Sequence, residues 1–284
     1  MNKFGGDWTE NKIEILVEYA KAYLTIMNGF AKKYDWKLLY FDGFAGSGFI
    51  TKGNAENQKI IIGAAYRILE IINPREFDLY YFVEKDSDNI NLLKKNTIDV
   101  FPNKIIHVVE TDCNEKIESM SKFLASIKGK RYKTLAYIDP CGMQLNWSSL
   151  QTLEKLSVDA WILIPTGMGV NRLLKKDGKI SDAWLNKLEV FLGMEQKDIL
   201  SYFYKEKVTP TLFGDEIKVQ KEEAIERSAE LYQERLKKLF KFVSKPYILK
   251  NSSNSVMFHF LMVSNNPSAV KVANEIVSKY NKAS

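Results

Sequence analysis

The chain has 284 residues, 45% of them hydrophobic, with 41 basic against 35 acidic side chains and a net charge of +6. That length and apolar share suit a globular protein of one or two domains, and the want of any long apolar run speaks against a membrane span. Two cysteines and two histidines without paired spacing argue against a structural zinc site, and the expected metal is none. The polar start MNKFGGDWTE reads as no signal peptide, which makes a reducing, cytoplasmic address the expectation. The basic balance is compatible with a polyanionic partner without demanding one, because lysines among glutamates on helical faces need only water.

In chain order, WTENKIEILVEYAKAYLTIMNGFAKKY has apolar residues at helical spacing, with Thr9 placed to cap it. WKLLYFDGF reads as a short buried strand running into a glycine loop. QKIIIGAAYRILEIIN reads as a helix stopped by Pro74, FDLYYFVEKD as an aromatic-rich strand, and SDNINLLKKNTIDVF as a helix. KIIHVVETDCNE is a third strand, IESMSKFLASIKG a helix, KTLAYIDPCG a fourth strand, NWSSLQTLEKLS a helix and VDAWILIPTGMG a fifth strand. Residues 171–243 read as mainly helical, EEAIERSAELYQERLKKLFKFV most clearly. KPYILKNSSNSVMFHFLMVSNN then gives two strands joined by a polar turn, and SAVKVANEIVSKY a closing helix.

This alternation predicts an α/β protein whose parallel sheet is covered on both faces. The expected organisation is a leading helix and Rossmann-like core over 1–170, a mainly helical insertion over 171–243, and a hairpin and helix over 244–284 that complete the core. Ligands of such sheets bind beyond the carboxyl ends of the strands. Asp42, Glu84, Asp112 and Asp139 each follow an apolar strand, so four acids are expected in one crevice.

The glycines of FDGFAGSG narrow the choice of ligand. No Lys-Ser/Thr pair follows them, so they form no P-loop. Gly43, Gly46 and Gly48 run G-x-x-G-x-G rather than G-x-G-x-x-G, and Glu84 lies too far on for the dinucleotide fingerprint, which disfavours a nicotinamide oxidoreductase. The stretch resembles motif I of S-adenosylmethionine-dependent methyltransferases, whose bare turn lies against the cofactor's methionine and ribose. That resemblance implies cofactor contacts at Asp42, Gly43, Phe44, Gly46 and Gly48, ribose hydroxyls on Glu84, the adenine amine on Asp112, and Cys113 beside the ring. The competing reading makes these acids turn residues or helix caps, with Asp86 or Ser87 capping the helix after VEKD.

AYIDPCGMQLNW stands where amino-methyltransferases carry an acid-Pro-Pro-aromatic motif. Asp139 and Pro140 match and are the expected catalytic pair, orienting a target amine. Cys141 replaces the second proline and Gly142 the aromatic, leaving Trp147 to offer a stacking face from downstream. A nucleophilic role for Cys141, as in C5-cytosine chemistry, lacks a segment to activate the base, and a small buried cysteine is the plainer expectation.

Together, WTENKIEILVEYAKAYL, YFDGFAGSG, YFVEKD, YIDPCGMQLNWSSLQTL and MFHFLMVSNNPSAVKVANEI resemble the three-Cys-motif partner proteins (TcmP), nearly end to end. That resemblance implies a Rossmann-like class I methyltransferase fold, S-adenosylmethionine as cofactor and a separate three-Cys-motif protein as partner. It leaves the substrate open. The layout is also similar, more distantly, to adenine-N6 methyltransferases of ribosomal RNA, in which a basic residue on the leading segment approaches the cofactor carboxylate; Lys12 is the candidate here. The expected activity is methyl transfer to a nucleic-acid amine, adenine N6 favoured, with Arg172, Lys175, Lys176 and Lys179 as phosphate contacts. The alternative is a catalytically silent module that serves the three-Cys partner, for which the altered DPCG speaks.

Overall fold

The computed structural model describes residues 7–52, 59–211 and 214–283. Helix α1 (Asp7–Tyr34) is followed by strand β1 (Lys37–Asp42), a hairpin of β2 (Phe49–Lys52) and β3 (Lys59–Ile62), and helix α2 (Ala64–Leu69). Then come β4 (Leu79–Glu84), α3 (Ser87–Thr97), β5 (Ile106–Glu110), α4 (Cys113–Ala125), β6 (Tyr132–Ile138), α5 (Trp147–Gln151) and β7 (Val158–Ile164). The next segment holds α6 (Asn171–Leu173), α7 (Asp182–Leu192), α8 (Gln196–Phe203), the strand pair β8 (Tyr204–Thr211) and β9 (Gly214–Lys221), and α9 (Ala224–Leu239). The chain ends with β10 (Phe242–Val243), β11 (Tyr247–Lys250), β12 (Val256–Ser264) and α10 (Pro267–Ala283).

The main sheet runs β10-β12-β7-β6-β1-β4-β5, with β11 also paired to β12. Strands β5, β4, β1, β6 and β7 are mutually parallel, and β12 is antiparallel to β7. This is the expected α/β sheet, Rossmann-like and closed by an antiparallel strand pair. The order reverses at β1, which lies between β4 and β6, so the chain after β1 and the chain after β6 leave the sheet side by side. In open α/β sheets that reversal is where a crevice forms.

The two faces carry separate cores. Helices α1, α2, α3 and α10 cover one, with Leu16, Ala20 and Leu24 of α1 fully buried at helical spacing against Leu38, Tyr40 and Trp161. The other is covered by α4, α5 and the insertion, where Phe191, Phe203, Tyr232 and Leu236 meet Ile162 and Leu261. Each such side chain contributes roughly 1.5–3 kcal/mol by leaving water. Among the described residues no helix is long and apolar enough to cross a membrane.

Two local expectations are corrected. Residues 59–62 form a strand rather than the first turn of a helix: β3 pairs with β2, and only Ala64–Leu69 is helical. The run KIII is rich in β-branched residues, whose strand preference outweighs its fit to a helical period. Within the insertion, beside its helices, β8 and β9 pair in register from Tyr204↔Lys221 to Thr211↔Gly214. Thr9 lies inside the first turn of α1, not at its cap. The sheet regains the chain at Phe242, which pairs with Ser264.

Candidate functional site

Strand β1 delivers Asp42 to the carboxyl edge of the sheet, and the glycine loop begins there. Tyr137 of β6 accepts from the Gly43 amide through its carbonyl (2.9 Å), and Val83 of β4 accepts likewise from Ala45 (2.9 Å). The loop is therefore tied to both neighbouring strands. Gly46 has φ +60°, and nothing lies within 4 Å of where its Cβ would stand, so bare backbone faces open space. Gly48 has φ +82° but turns toward Leu93 and Asn96 of α3. A Cβ on Gly43 would come within 2.5 Å of Cys113 Sγ, so that glycine is needed for close packing.

Glu84, at the end of β4, holds the loop in place. Its Oε2 accepts from the Gly46 amide at 2.8 Å, and its Oε1 accepts from the amides of Lys85 and Asp86, both at 2.8 Å. Asp86 caps α3 by accepting from Asn89 N (2.9 Å), so capping falls to Asp86 and leaves Glu84 to the loop. Asp112 caps α4 through Asn114 N (2.9 Å) and has Lys85 Nζ at 3.5 Å from its second oxygen.

These groups border a cleft of about 620 Å³ lined by the Gly43–Gly46 turn, Glu84, Asp112, Cys113 and Cys141. That volume lies within the range of nucleoside-sized ligands. The cleft brings together Gly43, Phe44, Gly46, Glu84, Asp112 and Cys113. Asp42 lies beneath, 1% exposed, its Oδ1 accepting from Phe44 N at 3.2 Å; burial pushes its carboxyl up to about 8, against the pull of that amide.

Lys12 of α1 reaches Asp139 across the sheet edge, with Nζ 2.5 Å from Oδ2, and the Tyr137 hydroxyl donates to the same oxygen at 2.8 Å. The Pro140 carbonyl accepts from the Gly142 amide at 2.9 Å. Gly142 has φ +96°, a conformation an aromatic residue would adopt only under strain, which accounts for the missing aromatic.

Cys141 is exposed rather than buried, contrary to expectation. Its thiol is raised by loss of solvent and then by Asp139, the opposite of an activated nucleophile. Trp147 is 3% exposed, edge-on to Tyr232 at 5.3 Å and under the Arg235 guanidinium at 4.6 Å. It anchors the insertion and offers no face to the cleft. Arg172, Lys175 and Lys176, with Lys179, lie exposed at the start of the insertion, Lys175 over the Trp184 ring at 5.3 Å. Among the described residues no cluster of His, Cys, Asp or Glu is suited to a metal ion.

Sequence reasoning missed Asn114 and Tyr137. Asn114 donates to Asp112 Oδ1 and to the Gln144 carbonyl, both at 2.9 Å, and accepts from Asn146 N at 2.8 Å, fastening the DPCG loop to α4. Tyr137 stands on β6 two residues before Asp139, which follows the strand directly, and the period of two was the signal that could have found it.

No family model matches this chain, and no curated protein matches it. Among solved structures, protein LPL1258 from Legionella pneumophila is similar over 94% of this chain and 92% of its own, at 14% identity and a TM-score of 0.51. That likeness shows the fold. Two others reach scores too low to bear on it. They are the complex of Trm1 from Pyrococcus horikoshii with S-adenosyl-L-methionine (13% identity, 93% of this chain, 65% of that one, TM-score 0.35) and a methyltransferase from Geobacter sulfurreducens (10%, 70%, 88%, 0.28). The strand order, with its antiparallel closing pair, is that of a Rossmann-like sheet.

Proposed function

We propose that this protein is an S-adenosylmethionine-dependent methyltransferase that acts on a base amine of nucleic acid, with adenine N6 favoured. One observation carries the reading: Glu84 grips the positive-φ Gly46 turn at the rim of a nucleoside-sized cleft that also holds Asp112 and Cys113. Bare backbone at Gly46, with Glu84 at the end of β4 and Asp112 beyond β5, suits a ligand with a ribose, an adenine amine and a positive sulfonium. S-adenosylmethionine would supply a methyl group activated by that sulfonium. Glu84 retains one lone-pair site on Oε2 for a ribose hydroxyl, Asp112 retains one for the adenine amine, and Cys113 lies against the loop beneath. Asp139, fixed by Lys12 and Tyr137, would orient the incoming amine through its remaining oxygen. Catalysis would rest on holding nucleophile and methyl donor in line, with no covalent step on the protein.

Calorimetric titration with S-adenosylmethionine and S-adenosylhomocysteine tests the cleft. Binding by the wild type that is lost in Glu84→Ala supports the reading, and radiolabelled methyl transfer to RNA and DNA tests the rest. Wild type that binds neither compound sinks it.

A second reading has its own support. The Pro140 carbonyl and Asp139 Oδ2 are already engaged within the chain, which leaves Asp139 Oδ1 alone to receive an amine. A silent module serving a three-Cys-motif protein would bind the cofactor, transfer no methyl group, and co-purify with such a protein when the two are expressed together.

A further inference from the structure

At the amino end of the sheet, opposite the cleft, three aromatic rings gather where α1 turns into β1. Tyr34 and Trp36 stack with centroids 5.0 Å apart and planes 29° apart. Phe30 stacks on Tyr34 at 6.4 Å and 9°. Phe30 and Tyr34 are each 48% exposed, and Ile26 one turn earlier is 44% exposed, so the three apolar side chains form one contiguous exposed strip. Cations lie over the rings, Lys33 Nζ 5.1 Å from the Tyr34 centroid and Lys133 Nζ 4.4 Å from that of Trp36, while the one carboxylate between the rings, Asp35, is paired with Arg131. Behind Trp36 a cleft of about 290 Å³ opens, bordered by Met27, Lys133, Lys155 and Asn265. Its one carboxylate, Asp159, accepts from the Tyr19 and Ser264 hydroxyls and is committed to them.

We infer that this face binds single-stranded nucleic acid, with bases stacked on Phe30, Tyr34 and Trp36 and phosphates on Lys33 and Lys133. Exposed rings interleaved with lysines are the chemistry by which single strands are held without regard to sequence, because every base has a π face. The cleft behind Trp36 has room for one base turned out of the strand. A protein partner fits less well, since lysine is depleted where aromatic side chains meet another protein, and here ammonium groups lie over the rings. Strand β1 spans six residues from this platform to the glycine loop, roughly 20 Å at ~3.3 Å per residue, a distance a few nucleotides cover. The inference rests on the nucleic-acid reading above and adds to it a second surface, which would hold the strand away from the reacting base.

Fluorescence anisotropy with labelled single-stranded RNA and DNA of about 12 nucleotides, on wild type and on the Phe30→Ala/Tyr34→Ala variant, tests it. The expected result is a loss of about tenfold or more in affinity from removing the two rings, with circular dichroism and the urea midpoint unchanged. Lys33→Ala should flatten the slope of log affinity against log salt by about 0.7. Equal affinity of the double variant and wild type overturns the platform and leaves the nucleic-acid reading standing. No binding of any strand by wild type at low salt overturns both. A double variant that converts a dimer into a monomer while still binding RNA as before assigns the face to a second copy of the chain and overturns the inference.

Discussion

The Lys12 ammonium and the Asp139 carboxylate meet at 2.5 Å, joining the first helix to the end of β6 across 127 residues of sequence. Their side chains are only 7% and 21% exposed. A buried pair of this kind contributes little net stability over apolar residues, but removing one partner strands the other charge. Lys12→Met is expected to destabilise the fold by about 3 kcal/mol in urea denaturation, and Lys12→Met/Asp139→Asn to recover part of that loss. Additive losses would mean that the two charges are not coupled.

Gly43 and Cys113 are coupled by sterics. An alanine at 43 places its Cβ 2.5 Å from Cys113 Sγ in a fully packed region, at a cost of about 1–3 kcal/mol. Gly43→Ala/Cys113→Ala should be more stable than Gly43→Ala alone, as read by the thermal midpoint. A double variant no better than the single one would place the strain elsewhere in the loop.

Asp42 makes stability depend on pH. Its folded pKa, pushed up to about 8 by burial, lies above the ordinary carboxylate value of 3.8. The folded state therefore holds a proton that the unfolded chain has released, and the stability associated with that proton falls as pH rises from about 4 to about 8. Asp42→Asn keeps the acceptor for the Phe44 amide and removes the titration. Its advantage over wild type should grow between pH 5 and pH 8, to a few kcal/mol, and level off above. A constant difference across that range would show that Asp42 ionises normally.

Trp147 separates a stacking role from a packing role. Buried against Tyr232 and close to Gly193, it should cost about 3–5 kcal/mol when cut to alanine, read by urea denaturation. Unchanged stability together with weakened nucleic-acid binding would return it to the substrate.

By itself the sequence determined the parallel core, the closing strand pair and the positions of Asp42, Glu84, Asp112 and Asp139 at strand ends. These follow from local rules, since an apolar run of strand length buried on both faces must end where the chain turns polar. The Gly46 turn was legible for the same reason, because only a residue without Cβ takes its positive φ freely.

What it did not determine depends on contacts between distant segments. The run KIII became a strand only because Phe49–Lys52 stands beside it, and β8 found β9 within a stretch whose helices dominate the period. Trp147 went into the core because the insertion folds back over α5 and brings Tyr232 and Arg235 against its ring. Tertiary structure alone decided that Lys12 would answer Asp139, that Asn114 would fasten the DPCG loop, and that Cys141 would face solvent. Burial and long-range pairing are properties of the assembled sheet, and no window of the chain contains both partners.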